Sequence, residues 1–177
     1  MHQVYVRIVL STILEEFESE VQFYTEQLAI TEKNWLDWKE GQVNLSAENL
    51  QKIKNLFTDY EWLVLQKVLR QTILFPEKRN TAVQEYRHIK TAIAKKWLAG
   101  DLAEVELIAP AKESPKVNPF INIRVTVKYG EWGYDDILSF RLPSMIQQQI
   151  EKAEVPLLDW VNENLVETYT KDDEAVS

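Results

Sequence analysis

The chain has 177 residues with 28 acidic and 20 basic side chains, a formal charge of −8, and 45% hydrophobic content including six Trp. It contains no Cys, two His (His2 and His88) and four Gly (Gly41, Gly100, Gly130 and Gly133). These counts exclude a disulfide scaffold, thiolate catalysis, a Cys-based zinc site, a His-rich metal centre and a glycine-rich phosphate loop, and leave an ordered, acidic, non-enzymatic protein without a metal or cofactor as the expectation.

Along the chain, Val9, Ile13 and Phe17 recur at four-residue spacing and predict a first helix. Its start is open, because Val4–Leu10 is rich in β-branched residues. Thr12 and Glu15 have the spacing of a capping box. A second helix is expected from Glu20 to Leu28, with Val21, Tyr24 and Leu28 on one face. Thr31 caps a third, which carries Trp35 and Trp38 and stops near Gly41. Ser46 opens a fourth whose buried stripe reads Leu50, Ile53 and Phe57. Trp62, Leu65, Leu69 and Ile73 continue the period until Pro76. Val83, Tyr86, Ile89, Ile93 and Trp97 then predict a long amphipathic helix closed by Gly100.

From Asp101 the period changes to two. Ala103, Val105, Leu107 and Ala109 alternate with Glu104, Glu106 and Ile108. Three prolines in 110–119 mark a loop. Ile121, Ile123, Val125 and Val127 alternate with polar residues, and Leu138, Phe140 and Leu142 do so on a returning strand after the turn Gly130–Gly133. Pro143-Ser144 and Pro156 open two last helices, the first with Met145, Ile146 and Ile150 and the second with Leu157, Trp160, Val161 and Leu165. The expected fold is α+β: a helical helix-turn-helix-like domain over residues 1–100, then over 101–177 a small antiparallel three-stranded sheet with two C-terminal helices and an acidic frayed tail at 170–177. No segment of 18 or more apolar residues occurs, so no membrane span is expected, and the N-terminus lacks the layout of a secretion signal. A cytoplasmic location is the expectation.

Charge is uneven. Residues 1–60 carry 5 basic and 10 acidic side chains, 61–100 carry 8 and 3, and 101–177 carry 7 and 15. The basic middle holds Lys67, Arg70, Lys78, Arg79, Arg87, Lys90, Lys95 and Lys96. Arg87 and Lys90 are three apart, hence on one side of a helix. This stripe is either a solvated face or a docking face for an acidic surface or nucleic acid. Trp132 and Tyr134 flank a hairpin turn, where exposed aromatics anchor interfaces, unless they pack on the hairpin's own face. Asp135 and Asp136 are adjacent and so a poor catalytic pair on a strand, and His88 lies off the apolar stripe.

Residues 28–57 resemble, without a gap, the core of phage-repressor-like helix-turn-helix domains. The matching positions are Leu28, Ala29, Ile30, Thr31, Trp38, Gly41, Asn44, Ser46, Glu48, Asn49, Leu50, Ile53, Leu56 and Phe57. In that family the helix after Thr31 reads the major groove. Here it would offer Glu32, Lys33, Leu36, Asp37 and Glu40, a net acidic face without Arg. Arg reading guanine is the commonest specific contact, and cations on phosphate supply most of the affinity. The acidic face therefore disfavours direct DNA binding. A solvated surface and a surface for a protein partner both stay open.

A second resemblance runs in order across nearly the whole chain. Glu20-Val21-Gln22-Phe23-Tyr24, Asn34-Trp35 with Trp38-Lys39-Glu40-Gly41, Asp59-Tyr60-Glu61, Lys96-Trp97-Leu98 and Leu158-Asp159-Trp160-Val161-Asn162-Glu163-Asn164-Leu165 resemble a type II-A anti-CRISPR family of phages infecting lactic-acid bacteria. The resemblance implies a homodimeric phage protein that binds the RNA-guided effector nuclease with its guide RNA and blocks DNA binding or cleavage. The alternative implied by the shorter match is a dimeric transcriptional regulator of a phage or mobile element. From charge and expected exposure, the partner-binding candidates are Glu32, Lys33, Leu36, Asp37, Glu40, Arg70, Lys78, Arg79, Arg87, Lys90, Trp132 and Tyr134.

Overall fold

The computed structural model describes residues 1–108, 120–152 and 156–170. The fold is α+β. It divides into two compact units, Met1–Tyr86 and Arg87–Ser177. The sequence-read boundary at residue 100 leaves a whole helix in the first part. In the structure that helix is divided, because its later turns make their contacts with the sheet unit, as set out below.

The first unit begins with α1 (His2–Glu16), which includes the whole β-branched stretch and buries Val4, Val6, Ile8, Val9 and Ile13. Packing of that face outweighs the modest helix cost of Val and Ile. Thr12 is not a cap: it lies inside the helix and its hydroxyl donates back to the Ile8 carbonyl at 3.0 Å. α2 (Glu20–Gln22) continues into a π-helical turn, Phe23–Gln27, and is capped by Ser19. Its buried residues are Phe23, Tyr24 and Leu28, whereas Val21 is exposed, contrary to the expected stripe. The π turn inserts an extra residue per turn, so the simple helical period misplaces the inward face.

α3 (Glu32–Lys39) and α4 (Ala47–Lys54) start at Thr31 and Ser46, whose side chains accept from the backbone N–H groups of Asn34 and Asn49. Each such cap is worth about 1 kcal/mol. Gly41 takes φ +77° after α3, the left-handed conformation that a side chain resists. On α4, Ile53 is buried but Leu50 is exposed. α5 (Asp59–Leu74) opens with a capping box: Thr58 accepts from the Glu61 N–H, and the Glu61 carboxylate accepts from the Thr58 N–H. Its inward face is Val64, Leu65, Val68 and Thr72, while Ile73 is exposed. A chain of aromatic contacts ties the unit together. Phe17 meets Phe23, Phe23 meets Trp35, Trp35 stacks on Trp38 at 4.8 Å, and Tyr5 touches both Trp38 and Trp62.

α5 stops before Pro76, and a 3-10 turn (Pro76–Thr81) leads to α6 (Ala82–Ala99). The buried side chains of α6 are Ala82, Tyr86, Arg87, Lys90, Thr91, Ala94 and Leu98, a face rotated from the large apolar residues that periodicity picked out.

In the second unit, β1 (Glu104–Ile108), β2 (Phe120–Val127) and β3 (Asp136–Pro143) form an antiparallel sheet in that order. Val105 pairs with Val125, Leu107 with Ile123, Ile123 with Phe140 and Ile121 with Leu142, so one face is continuous aliphatic and aromatic surface. α8 (Leu157–Thr170) contacts both β1 and β3 and buries Trp160, Val161, Leu165 and Tyr169, while α7 (Met145–Lys152) contacts β3. Full burial of each apolar side chain stabilises by about 1.5–3 kcal/mol. Ala109, the proline-rich loop 110–119 and the tail beyond Thr170 lie outside the described residues. Among the described residues, no helix is long and apolar enough to cross a membrane.

Candidate protein-binding surfaces

α3 presents the first candidate surface. Trp35 and Trp38 point inward with 1% and 3% exposure, which fixes the orientation of the helix. The same turn geometry places Glu32, Lys33, Leu36 and Glu40 outward, and all four are exposed. Asp37 is half-buried and lies 3.5 Å from Lys33, an (i, i+4) pair that takes part of the local positive charge out of play. The side of α3 is held by a three-membered node. The Glu20 carboxylate accepts from the Trp35 indole N–H and from the Lys39 ammonium, each at 2.9 Å. Burial opposes ionisation of Glu20, but the hydrogen bonds from Lys39 and Trp35 and the charge of Lys39 outweigh it and hold the carboxyl below its ordinary value. The sequence shows Glu20 only as a residue opening a helix. Its link to Trp35 spans 15 positions, which no local period encodes.

The basic candidates separate into two groups. Arg70 and Arg79 are exposed, and the Arg79 Nε–H donates to the Thr72 carbonyl at 3.3 Å. Lys78 is half-buried, over the Phe75 ring and 3.9 Å from Glu85. Arg87 and Lys90 are buried, at 8% and 3% exposure, so they belong neither to a solvated face nor to a docking stripe. Lys90 Nζ donates to the Ser139 carbonyl at 2.7 Å and to the Tyr169 hydroxyl at 3.1 Å, and it sits over the rings of Phe140 and Tyr169. Arg87 lies over the same Tyr169 ring at 5.4 Å. The physical reason is that long cationic side chains bury their stems and satisfy their heads on aromatic faces and carbonyls. These two residues are structural parts of the sheet unit.

The β2–β3 hairpin carries the second surface. A short 3-10 turn, Gly130–Trp132, is followed by Gly133 at φ +65°. Trp132 and Tyr134 are 80% and 83% exposed, so neither packs on the hairpin's own face. The base of the turn is braced instead by Tyr129, whose N–H donates to Asp135 at 3.0 Å and whose hydroxyl donates to Asp136 at 2.9 Å. Both carboxylates are thus committed to turn geometry. Glu131 stands beside Trp132 and is exposed. The tip is two aromatic rings among three acidic residues. His88 is exposed, and among the described residues no group of three or more His, Cys, Asp or Glu is placed to hold a metal ion.

No family model, no curated protein and no solved structure matches the chain.

Proposed function

We propose that the chain is a non-enzymatic anti-CRISPR protein that works in the host cytoplasm, as a homodimer. Its partner is a type II-A RNA-guided effector nuclease carrying its guide RNA, and it blocks DNA binding or cleavage. The observation that carries this reading is the hairpin tip, where Trp132 and Tyr134 stand almost fully in solvent beside Glu131, Asp135 and Asp136. Large aromatic side chains of that kind are the residues that supply most of the energy in protein interfaces. The acidic setting and the net charge of −8 select a cationic partner. An RNA-guided nuclease holds its heteroduplex and displaced strand in positively charged channels. The exposed acidic face of α3 supports the same choice and opposes a duplex.

The test is a pull-down of guide-loaded type II-A nucleases from lactic-acid bacteria, with a cleavage assay on the same samples. Binding with loss of cleavage is expected. Absence of both across several effectors overturns the reading. The second reading, a dimeric transcriptional regulator, is favoured by the order of α2 with its π turn, a short link and the Thr31-capped α3, in which α3 takes the place of the second helix of a helix-turn-helix. It requires binding to upstream promoter DNA that falls steeply with salt. No shift of that DNA at low salt removes it.

A further inference from the structure

A groove of about 350 Å³ lies in the first unit, between the end of α1, the start of α2, and α3. Three apolar side chains line it that the core leaves out: Leu14, Val21 and Leu36, at 50%, 55% and 44% exposure. They come from three different elements and converge on one opening. Isolated exposed Leu or Val residues are ordinary, but a converging set with a concave floor is what an apolar anchor residue needs. The rim is acidic. Glu18 and Glu32 border it, both exposed and without an ion pair among the described residues. Lys39, the one cation of the lining, is already paired with Glu20.

We propose that this groove is a docking site for a cationic amphipathic helix, a segment presenting Leu-like side chains at helical spacing with Lys or Arg on either side. The complementarity is direct: apolar anchors fill the Leu14–Val21–Leu36 opening, and the flanking cations meet Glu18 and Glu32. Helix-in-groove recognition of this type reads i, i+3, i+4 anchors and takes its selectivity from the rim charges. The open shape of the groove suits a peptide rather than an enclosed small molecule. A symmetric pairing of two copies through this groove would set Glu18 and Glu32 of each against those of the other, which disfavours a second copy at this face. The Glu20–Trp35–Lys39 node fixes the wall, so the groove is preformed and little ordering accompanies binding. The proposal does not depend on the inhibitor reading, and its test contains no nuclease.

The test titrates the full chain into a fluorescently labelled 14-residue helical peptide built from Leu at i, i+3 and i+4 positions with Arg elsewhere. Anisotropy reports affinity, and the Trp35 indole N–H resonance reports the location. The Arg peptide should bind and shift that resonance. A matched peptide with Glu in place of Arg should bind about tenfold more weakly or worse at low salt. Val21→Ser with Leu36→Ser should weaken the Arg peptide about tenfold or more. Glu18→Gln with Glu32→Gln should flatten its salt dependence. All four positions are at least partly exposed, and unchanged far-UV circular dichroism verifies that each variant folds. Three results overturn the proposal: equal binding of the Arg and Glu peptides, binding unaffected by either pair of substitutions, or sedimentation showing that the groove substitutions dissociate a dimer, which would give the groove to a second copy.

Discussion

Replacing Glu20 by Gln should loosen α3 at neutral pH and leave it almost unchanged in acid. The wild-type carboxylate accepts two charge-assisted hydrogen bonds at 2.9 Å, from Trp35 and from Lys39. Such bonds contribute about 1.5–3 kcal/mol when shielded, whereas exposed ion pairs give about 0.2–1 kcal/mol. The Glu20 and Lys39 side chains are 30% and 23% exposed, so the Lys39 part belongs near the lower figure. Gln preserves shape and can still accept from the indole as a neutral group. The expected loss is therefore about 1–1.5 kcal/mol. Glu20→Ala should cost about 2 kcal/mol, because it leaves the indole N–H of a buried Trp without its acceptor. The pH dependence follows from the lowered pKa. A carboxyl whose folded pKa lies below its unfolded value of about 4.3 stabilises the fold above that value. The contribution is lost as pH falls through the folded pKa. Urea unfolding of the full chain at pH 7 and pH 3, followed by Trp fluorescence, together with exchange of the Trp35 indole N–H, measures both effects. Equal stability of wild type and Glu20→Gln at pH 7, or a gap that persists unchanged at pH 3, would refute the assignment of this node.

Three further outcomes are expected. Trp132→Ala and Tyr134→Ala should change stability by less than about 0.5 kcal/mol and, on the proposed inhibitor reading, weaken binding to the guide-loaded nuclease about 30-fold each, measured by surface plasmon resonance. Lys90→Ala should destabilise by about 2–4 kcal/mol in urea unfolding, since it opens a cavity and strips donors from the Ser139 carbonyl and Tyr169 hydroxyl, whereas Lys95→Ala on the exposed side of the same helix should stay within about 0.5 kcal/mol. Burial pushes the Tyr5 phenol up to about 12; its neutral form stabilises the fold fully below the unfolded value of about 10 and that contribution is lost as pH rises toward 12, so Tyr5→Phe should flatten the fall in the urea midpoint over that interval.

Period and capping carried most of the architecture. Alternation across Ile121–Val127 and Leu138–Leu142 was enough to place two strands and, with the glycine turn between them, their pairing. Thr31 and Ser46 marked helix starts because a hydroxyl at that position has a local partner three residues on. The failures have equally local causes. Thr12 and Glu15 have capping spacing, yet a core-facing helix runs straight through them, since burial of Val9 and Ile13 is worth more than a cap. Val21, Leu50 and Ile73 satisfy a helical period and are still exposed, because period reports that residues share a face and not that the face meets a core. Val21 is informative in that respect: its exposure, with that of Leu14 and Leu36, makes the α1–α3 groove apolar. Within the candidate surfaces, the outward residues of α3 and the hairpin aromatics were legible from position. Leu14, Glu18 and Glu20 were not, because they join α3 only through contacts distant in sequence.

Arg87 and Lys90 change how the charge of the molecule is to be read. Counted along the chain, the basic middle offsets the acidic flanks. Counted over the surface, two of its eight cations are inside the sheet unit and Lys78 lies within reach of Glu85. The exposed cations left in that stretch are Lys67, Arg70, Arg79, Lys95 and Lys96. The solvent-facing acidity is therefore larger than the sequence blocks indicate, and at the α1–α3 groove and the hairpin tip exposed carboxylates stand beside exposed apolar side chains. Coulomb attraction across such a surface accelerates encounter with a cationic partner and decays over about 8 Å at physiological salt. The apolar anchors, which salt screens very little, then set the residence time. Raising the ionic strength should thus slow association with a cationic partner far more than it speeds dissociation, whereas a duplex held through phosphates would lose affinity steeply with salt.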